Sequence, residues 1–319
     1  MAISNGISFN NGASSIGLVG DLRLAQILSM EIKLLLTDTA NLRNSPFIDY
    51  AGSIAGVGSD TIRVRKAGLD GRDVFSAVAN EDDSLSNTAL TDSHVDIVVS
   101  RAGLKYQITD LASMTGMGAN DIDVMRLAQS MAGSYEAYFA ELTGDTIDDF
   151  TSVVGTSGVI FDVDTMLAGI FQLEQADSNR GVPGPYAAIL HPKQLTELQD
   201  SLRNESNSIF AYSPATLEAI GMKGPGYVGR FLNVDLHSSS FVNTDGTDRL
   251  GALFGVGAIA YADGVPSALP GSVDAMNMGP IVVELDRDPA SASTSVVGHA
   301  YLGMAVIDDN RGVRLRSVD

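Results

Sequence analysis

Histidine is the side chain best suited to metal binding and acid–base work, and here the four of them are scattered. His94, His191, His237 and His299 form no H-x-x-x-H pair, and the chain has no cysteine for a thiolate zinc site or a thiol nucleophile. Their spacing reads as ordinary core or surface histidine. Serine runs at 12–17 and 52–53 lack the G-x-S-x-G elbow of a serine hydrolase. Three D-x-D pairs, Asp121/Asp123, Asp162/Asp164 and Asp286/Asp288, could hold a divalent ion and so define a metal-dependent enzyme as one alternative. Chance supplies about as many in so acidic a chain, and two pairs sit where helices begin, which favours carboxylates for dipole reasons. The stretch 243–248, NTDGTD, lacks the spacing and bidentate Glu of a calcium loop and reads as a surface turn.

The nearest approach to a cofactor motif is Gly255, Gly257 and Ala260, a G-x-G-x-x-A after an apolar run. A dinucleotide site needs a helix to start at those glycines, so that its N-terminus meets the pyrophosphate. Asp263, Gly264 and Pro266 would break such a helix within two turns. No catalytic residue, metal site or cofactor is therefore assigned, and the expectation is a protein that is not an enzyme.

The elements available to position anything are those of a substantial globular chain. It has 319 residues, 45% of them hydrophobic, enough for one large or two medium domains with a real core. Lys and Arg number 20 against 39 Asp and Glu, a net charge of −19. That surplus opposes any general grip on nucleic acid, which needs clustered cations. Only 18% of residues are charged, below the usual quarter, which suggests surface hidden against copies of the same chain. No charge precedes Asp21, so a basic n-region is missing and synthesis in the cytoplasm is expected. The longest apolar run, 250–261, contains three glycines and falls short of a membrane span.

Along the chain, residues 1–20 read as an extended arm, and Leu22, Ala25, Leu28, Ile32 and Leu35 recur at helical spacing. Residues 61–65 alternate as a strand and 94–99 form its return. The polar connection between them predicts a projecting hairpin that depends on a neighbour for burial. Its basic foot (Arg63, Arg65, Lys66, Arg72) and acidic tip (Glu81, Asp82, Asp83) are the candidate assembly contacts, with a plain solvated loop as the alternative. A long helix is predicted over 120–144. Asn120 and Asp123 would cap it, Val124, Leu127, Met131, Tyr135, Tyr138 and Leu142 would form its stripe, and Thr143-Gly144 would end it. A second helix covers 161–176, with Met166, Ile170 and Leu173 in phase. After the Gly/Pro break at 181–185 come a buried strand (186–190), a helix (193–202), strands at 227–236, 250–261 and 280–285, and a closing hairpin of 295–307 with 313–318. Strands mixed with long helices, without βαβ regularity, give an α+β class.

This order of elements, together with 186–195 (YAAILHPKQL) and 297–313 (VGHAYLGMAVIDDNRGV), resembles the tailed-bacteriophage major capsid proteins of the Hong Kong 97 fold. The resemblance implies an N-arm and first helix over 1–44. It implies a P-domain over 45–184 with an E-loop at 60–99 and a spine helix at 120–144. An A-domain would cover 185–278, and strands at 279–319 would return to the P-domain. It further implies a homo-oligomer: hexamers and pentamers of an icosahedral head, a virion component enclosing double-stranded DNA without specific binding and without a membrane. Made in the host bacterial cytoplasm, it would work with a portal and a decoration protein. The chain lacks a long charged helical N-terminal extension, so a separate scaffolding protein is expected. The family's covalently linked branch uses an E-loop lysine; here Lys66 lies at the hairpin's foot, so a non-covalent shell is expected. An encapsulin-like nanocompartment, with enzyme cargo instead of DNA, is the alternative on the same fold.

Overall fold

The computed structural model describes residues 32, 47–67, 92–111, 119–175, 182, 184–204, 212–214, 226–264, 275–277 and 281–319. In the first half run β1 (Ile48–Ser53), β2 (Thr61–Ala67), β3 (Asp92–Val98), β4 (Ser100–Thr109), α1 (Ala119–Asp148), β5 (Val153–Val154) and α2 (Val163–Gln175). The second half adds β6 (Tyr186–Leu190), α3 (Pro192–Asn204), β7 (Tyr212–Pro214), β8 (Tyr227–Phe231), β9 (Val234–Ser238), β10 (Asp248–Gly255) and β11 (Ile259–Asp263). It closes with β12 (Ala275–Asn277), β13 (Ile281–Asp288), β14 (Ser293–Val306), a 3₁₀ turn (Asp309–Arg311) and β15 (Gly312–Val318). The α+β class holds.

β6 is apolar at every position, and a strand of that kind needs cover on both faces. Ala187 and Ile189 face one core, while Tyr186, Ala188 and Leu190 face another. The sheet around it runs β5-β15-β10-β6-β9-β8-β7. On one face lies α1, about 45 Å long at 1.5 Å per residue. On the other lie α2 and α3, through Met166, Leu173, Leu195 and Leu198. A second sheet runs β1-β11-β14-β13-β12, with β4 also paired to β14. The helix α1 crosses both, because Met131 and Tyr135 share the first core with Val283, Val296 and Ala300 of one sheet and Ala252 and Phe254 of the other. Its C-terminal end is tied down by Arg314 to Asp148 (2.9 Å) and Asn243 to Asp145 (3.0 Å).

Several expectations are corrected. The helix does not stop at Gly144 but runs to Asp148. Gly144 is needed for close approach, since a Cβ there would collide with the backbone carbonyl of Phe241. Asn120 lies inside the helix instead of capping it, and its buried face also uses Ala128, Ala132 and Phe139. The runs 227–236 and 250–261 are each two strands. The first is the β8–β9 hairpin, turned at Leu232-Asn233. In the second, β10 and β11 belong to different sheets. The closing hairpin is not one: β14 pairs β4, β11 and β13, whereas β15 pairs β10 and β5. Asp308 caps the 3₁₀ turn between them, and Arg311 bonds both Asp308 (3.2 Å) and the Val256 carbonyl (2.9 Å), which fixes a crossover from sheet to sheet. Of the expected first helix only Ile32 is described; it is helical and buried in the first core.

Candidate assembly surface

The ladder of the hairpin predicted from alternation is present as β2 and β3, paired from Thr61↔Val98 to Ala67↔Asp92 in a two-stranded sheet of its own, and the polar connection between them, 68–91, lies outside the described residues. Its foot is fixed by apolar burial. Ile97 and Val99 pack with Ala260 and Ala262 of β11, and Ile62, Val64 and Tyr301 lie against them. The Val99 N–H donates to the Asp60 carbonyl (2.9 Å), which locks the corner where β3 becomes β4. That corner passes over Gly303 of β14, where a Cβ would meet the Val98 carbonyl and the Val99 backbone. The opposite face of the ladder, with Arg63, Arg65, His94, Asp96 and Val98, is exposed, Val98 to 59%.

The proposed contact residues fall into three situations. Arg63 is engaged within the hairpin, donating through Nε (2.8 Å) and Nη2 (3.0 Å) to its cross-strand partner Asp96. Arg65 stands exposed opposite His94, and Lys66 is paired in register with Ser93. Arg72, Glu81, Asp82 and Asp83 lie outside the described residues. The 61–98 register explains Arg63, because only a known pairing shows that Asp96 faces it. Sequence reading missed β4 altogether, although Ala102, Leu104, Tyr106 and Ile108 alternate with Arg101, Lys105 and Gln107.

The other candidate chemistry resolves into local structure. The glycines at 255 and 257 form the turn between β10 and β11, closed by the Ala258 N–H to the Gly255 carbonyl (3.3 Å), and no helix starts there. Asp162 caps α2 by accepting from the Thr165 N–H (2.8 Å), and Asp288 accepts from the Ala290 N–H (2.9 Å). Asp245 accepts from the N–H groups of Thr247 and Asp248, closing the 243–248 turn. The histidines stand apart: His94 on the hairpin, His191 before α3, His237 beside the Tyr227 ring, and His299 3.8 Å from Glu284. Burial and then the charge of Arg249 keep the His191 imidazole below its usual pKa. Among the described residues there is no group of three potential metal ligands, and no helix long and apolar enough to cross a membrane.

Three exposed carboxylates are held below the ordinary aspartate value of 3.8 by hydrogen bonds from arginine: Asp96 by Arg63, Asp110 by Arg287 and Asp319 by Arg249. A depressed folded-state pKa stabilises the fold above 3.8, and that contribution is lost as pH falls further. Thermal midpoints measured from pH 7 downward should therefore stay level to about 5 and fall below about 4. Asp110→Asn should flatten that fall; a midpoint that drops already between pH 7 and 5 would refute this origin of acid sensitivity.

A spine helix laid across two sheets, with a hairpin arm thrown out from the edge of one of them, is the architecture of the Hong Kong 97 capsid fold. The solved structures that match make this specific. No model of a known protein family matches the sequence, and no curated protein sequence does. A structure from Mycobacterium phage Che8 matches with TM-score 0.55 and 16% identity, over 84% of this chain and 89% of that one. The capsid structure of cyanophage P-SCSP1u matches with TM-score 0.55 and 12% identity, over 88% of both chains. The holo-SrpI encapsulin complex of Synechococcus elongatus matches with TM-score 0.59 and 13% identity, over 85% of both. The chain has the Hong Kong 97 capsid-protein fold.

Proposed function

We propose that this chain is the major capsid subunit of a tailed phage, assembling as hexamers and pentamers of an icosahedral head around double-stranded DNA. The observation that carries the reading is the near full-length match to phage capsid structures, together with a two-stranded ladder that leaves one face, Arg63, Arg65, His94 and Asp96, exposed. The same reading makes the protein structural and not catalytic. The net charge of −19 suits a wall that encloses DNA without holding it. The hairpin's exposed cation Arg65, with Lys66 and Arg72, is assigned to neighbouring subunits, as is the acidic run Glu81, Asp82, Asp83. The arm (1–44), P-domain (45–184), A-domain (185–278) and returning strands (279–319) keep their assignments under this reading. Scaffolding, portal and decoration proteins are the expected partners, and the host bacterial cytoplasm the site of synthesis.

The encapsulin match supports a second reading, a nanocompartment shell, since the fold serves both. Expression with and without the neighbouring genes of the source genome, followed by sedimentation and electron microscopy, tests the proposal. Closed shells containing DNA in lysates of the source are expected. Shells filled with an enzyme would favour the second reading, and a ~33 kDa monomer at every concentration would overturn both.

A further inference from the structure

We propose that Tyr50 and Tyr261 form an oxidative modification site, where a one-electron oxidant couples the two rings into a dityrosine within one chain and the Asp263 carboxylate takes the Tyr50 proton. The inference stands on the geometry of β1 and β11 and does not depend on the shell reading. Composition decides where such an oxidant acts. The chain has neither cysteine nor tryptophan, the side chains that compete most strongly to give up an electron, so the loss falls on its nine tyrosines. Methionine is consumed by a different chemistry, the uptake of oxygen to a sulfoxide.

Position decides which tyrosines react. Tyr50 and Tyr261 are direct partners in the parallel ladder of β1 and β11, so their rings stand on one face of the sheet. The ring centroids are 5.2 Å apart and the planes are inclined at 47°, a contact distance. Tyr261 is held from the other side by Phe139, whose ring meets it edge-on at 5.4 Å. Tyr50 is 54% exposed, open to a diffusing oxidant, and its hydroxyl donates to Asp263 Oδ1 at 2.8 Å. Partial desolvation and then that hydrogen bond push the phenol up to about 12. It is therefore protonated at neutral pH and loses an electron most easily as it loses the proton, for which Asp263 is already in place. Tyr186 shows the contrast: it is buried, and its hydroxyl donates to the Val182 carbonyl (2.6 Å), which is no base.

One equivalent of oxidant takes an electron from Tyr50 while its proton passes to Asp263, which leaves a neutral phenoxyl radical. A second equivalent does the same to Tyr261, whose proton goes to solvent. The radicals join through a ring carbon next to each oxygen-bearing carbon, and the hydrogens on the joined carbons move to the oxygens, restoring both phenols. Two electrons have then gone to the oxidant, and two protons reach water once Asp263 releases its own. The new bond staples β1, the strand that leads into the hairpin, to β11.

The test irradiates the folded chain with tris(bipyridine)ruthenium and persulfate, a source of one-electron oxidant. Dityrosine fluorescence is expected from a chain still of monomer mass, and a digest should yield the Tyr50 and Tyr261 peptides joined and two hydrogen atoms lighter than their sum. Tyr50→Phe should lose the fluorescence, and Tyr301→Phe, which removes a hydroxyl from β14, should keep it. Asp263→Asn should slow the coupling several-fold, because an amide cannot take the proton, and oxidation in urea should abolish the preference for this pair. Links spread over other tyrosines of the folded chain, links only between chains, or a Tyr50→Phe chain as fluorescent as the parent would overturn the site. An Asp263→Asn chain coupled at the parent's rate would overturn the part given to the carboxylate.

Discussion

Phe150→Ala is expected to destabilise the fold by about 3–5 kcal/mol, the range for emptying a fully buried aromatic site. Phe150 is completely buried just beyond α1 and stacks on Phe254, with ring centroids 6.3 Å apart. It also lies directly on Gly312, the first residue of β15, where any Cβ would run into three ring atoms. Gly312 has φ −137°, an extended conformation open to any residue, so the ring alone requires glycine there. Gly312→Ala by itself should therefore be destabilising through overpacking, by about 1–3 kcal/mol. Placed in the Phe150→Ala chain it should cost little, because the new methyl enters the space the ring has left. Urea unfolding of the four chains in a double-mutant cycle measures this, with a favourable coupling of about 1–3 kcal/mol expected. Strict additivity would mean that the ring and the glycine are not in contact. The site matters beyond its energy, since it clamps the crossover by which the chain leaves one sheet for the other.

That crossover also shows where reading the sequence stops. β6 and α2 are legible because each declares itself within a dozen residues, one by a continuous apolar run and the other by Met166, Ile170 and Leu173 at helical spacing. The hairpin ladder is legible for the same local reason. The break between β10 and β11 is not, because Val256 and Ala258 keep the run apolar through the turn and only the sheets they join differ. Gly144 looks like a helix stop until the Phe241 carbonyl, 97 residues later, is seen resting on it. Similarly, the alternation in β4 becomes meaningful only beside the ten-residue ladder it makes with β14. For the candidate assembly surface, residue types marked out the hairpin, but pairing register decided that Arg63 is engaged by Asp96 while Arg65 stands opposite His94.

Gly303→Ala should have the largest effect on assembly of any single methyl added to the chain. Each of the three atoms nearest to a Cβ at Gly303 belongs to the backbone of Val98 or Val99, so no side chain can rotate away and the corner itself must move. The expected loss of stability is about 1–3 kcal/mol, leaving a folded subunit. The larger consequence is leverage. Seven ladder residues span about 23 Å, so a tilt of ~10° at the corner displaces the far end by ~4 Å, more than the tolerance of a packed contact. Folded monomers that fail to form shells are therefore expected, seen as native-like circular dichroism with a monomeric sedimentation profile. Gly133→Ala provides the control: that glycine lies exposed on α1 with nothing within 4 Å of the added methyl. It should assemble normally and gain up to about 1 kcal/mol from helix propensity. Normal shells from Gly303→Ala would show that the hairpin's aim is set elsewhere, whereas failure of both variants would point to assembly sensitive to any change in the subunit. Loss from Gly303→Ala alone ties shell formation to one backbone crossing, which is where an exposed two-stranded arm has to take its direction.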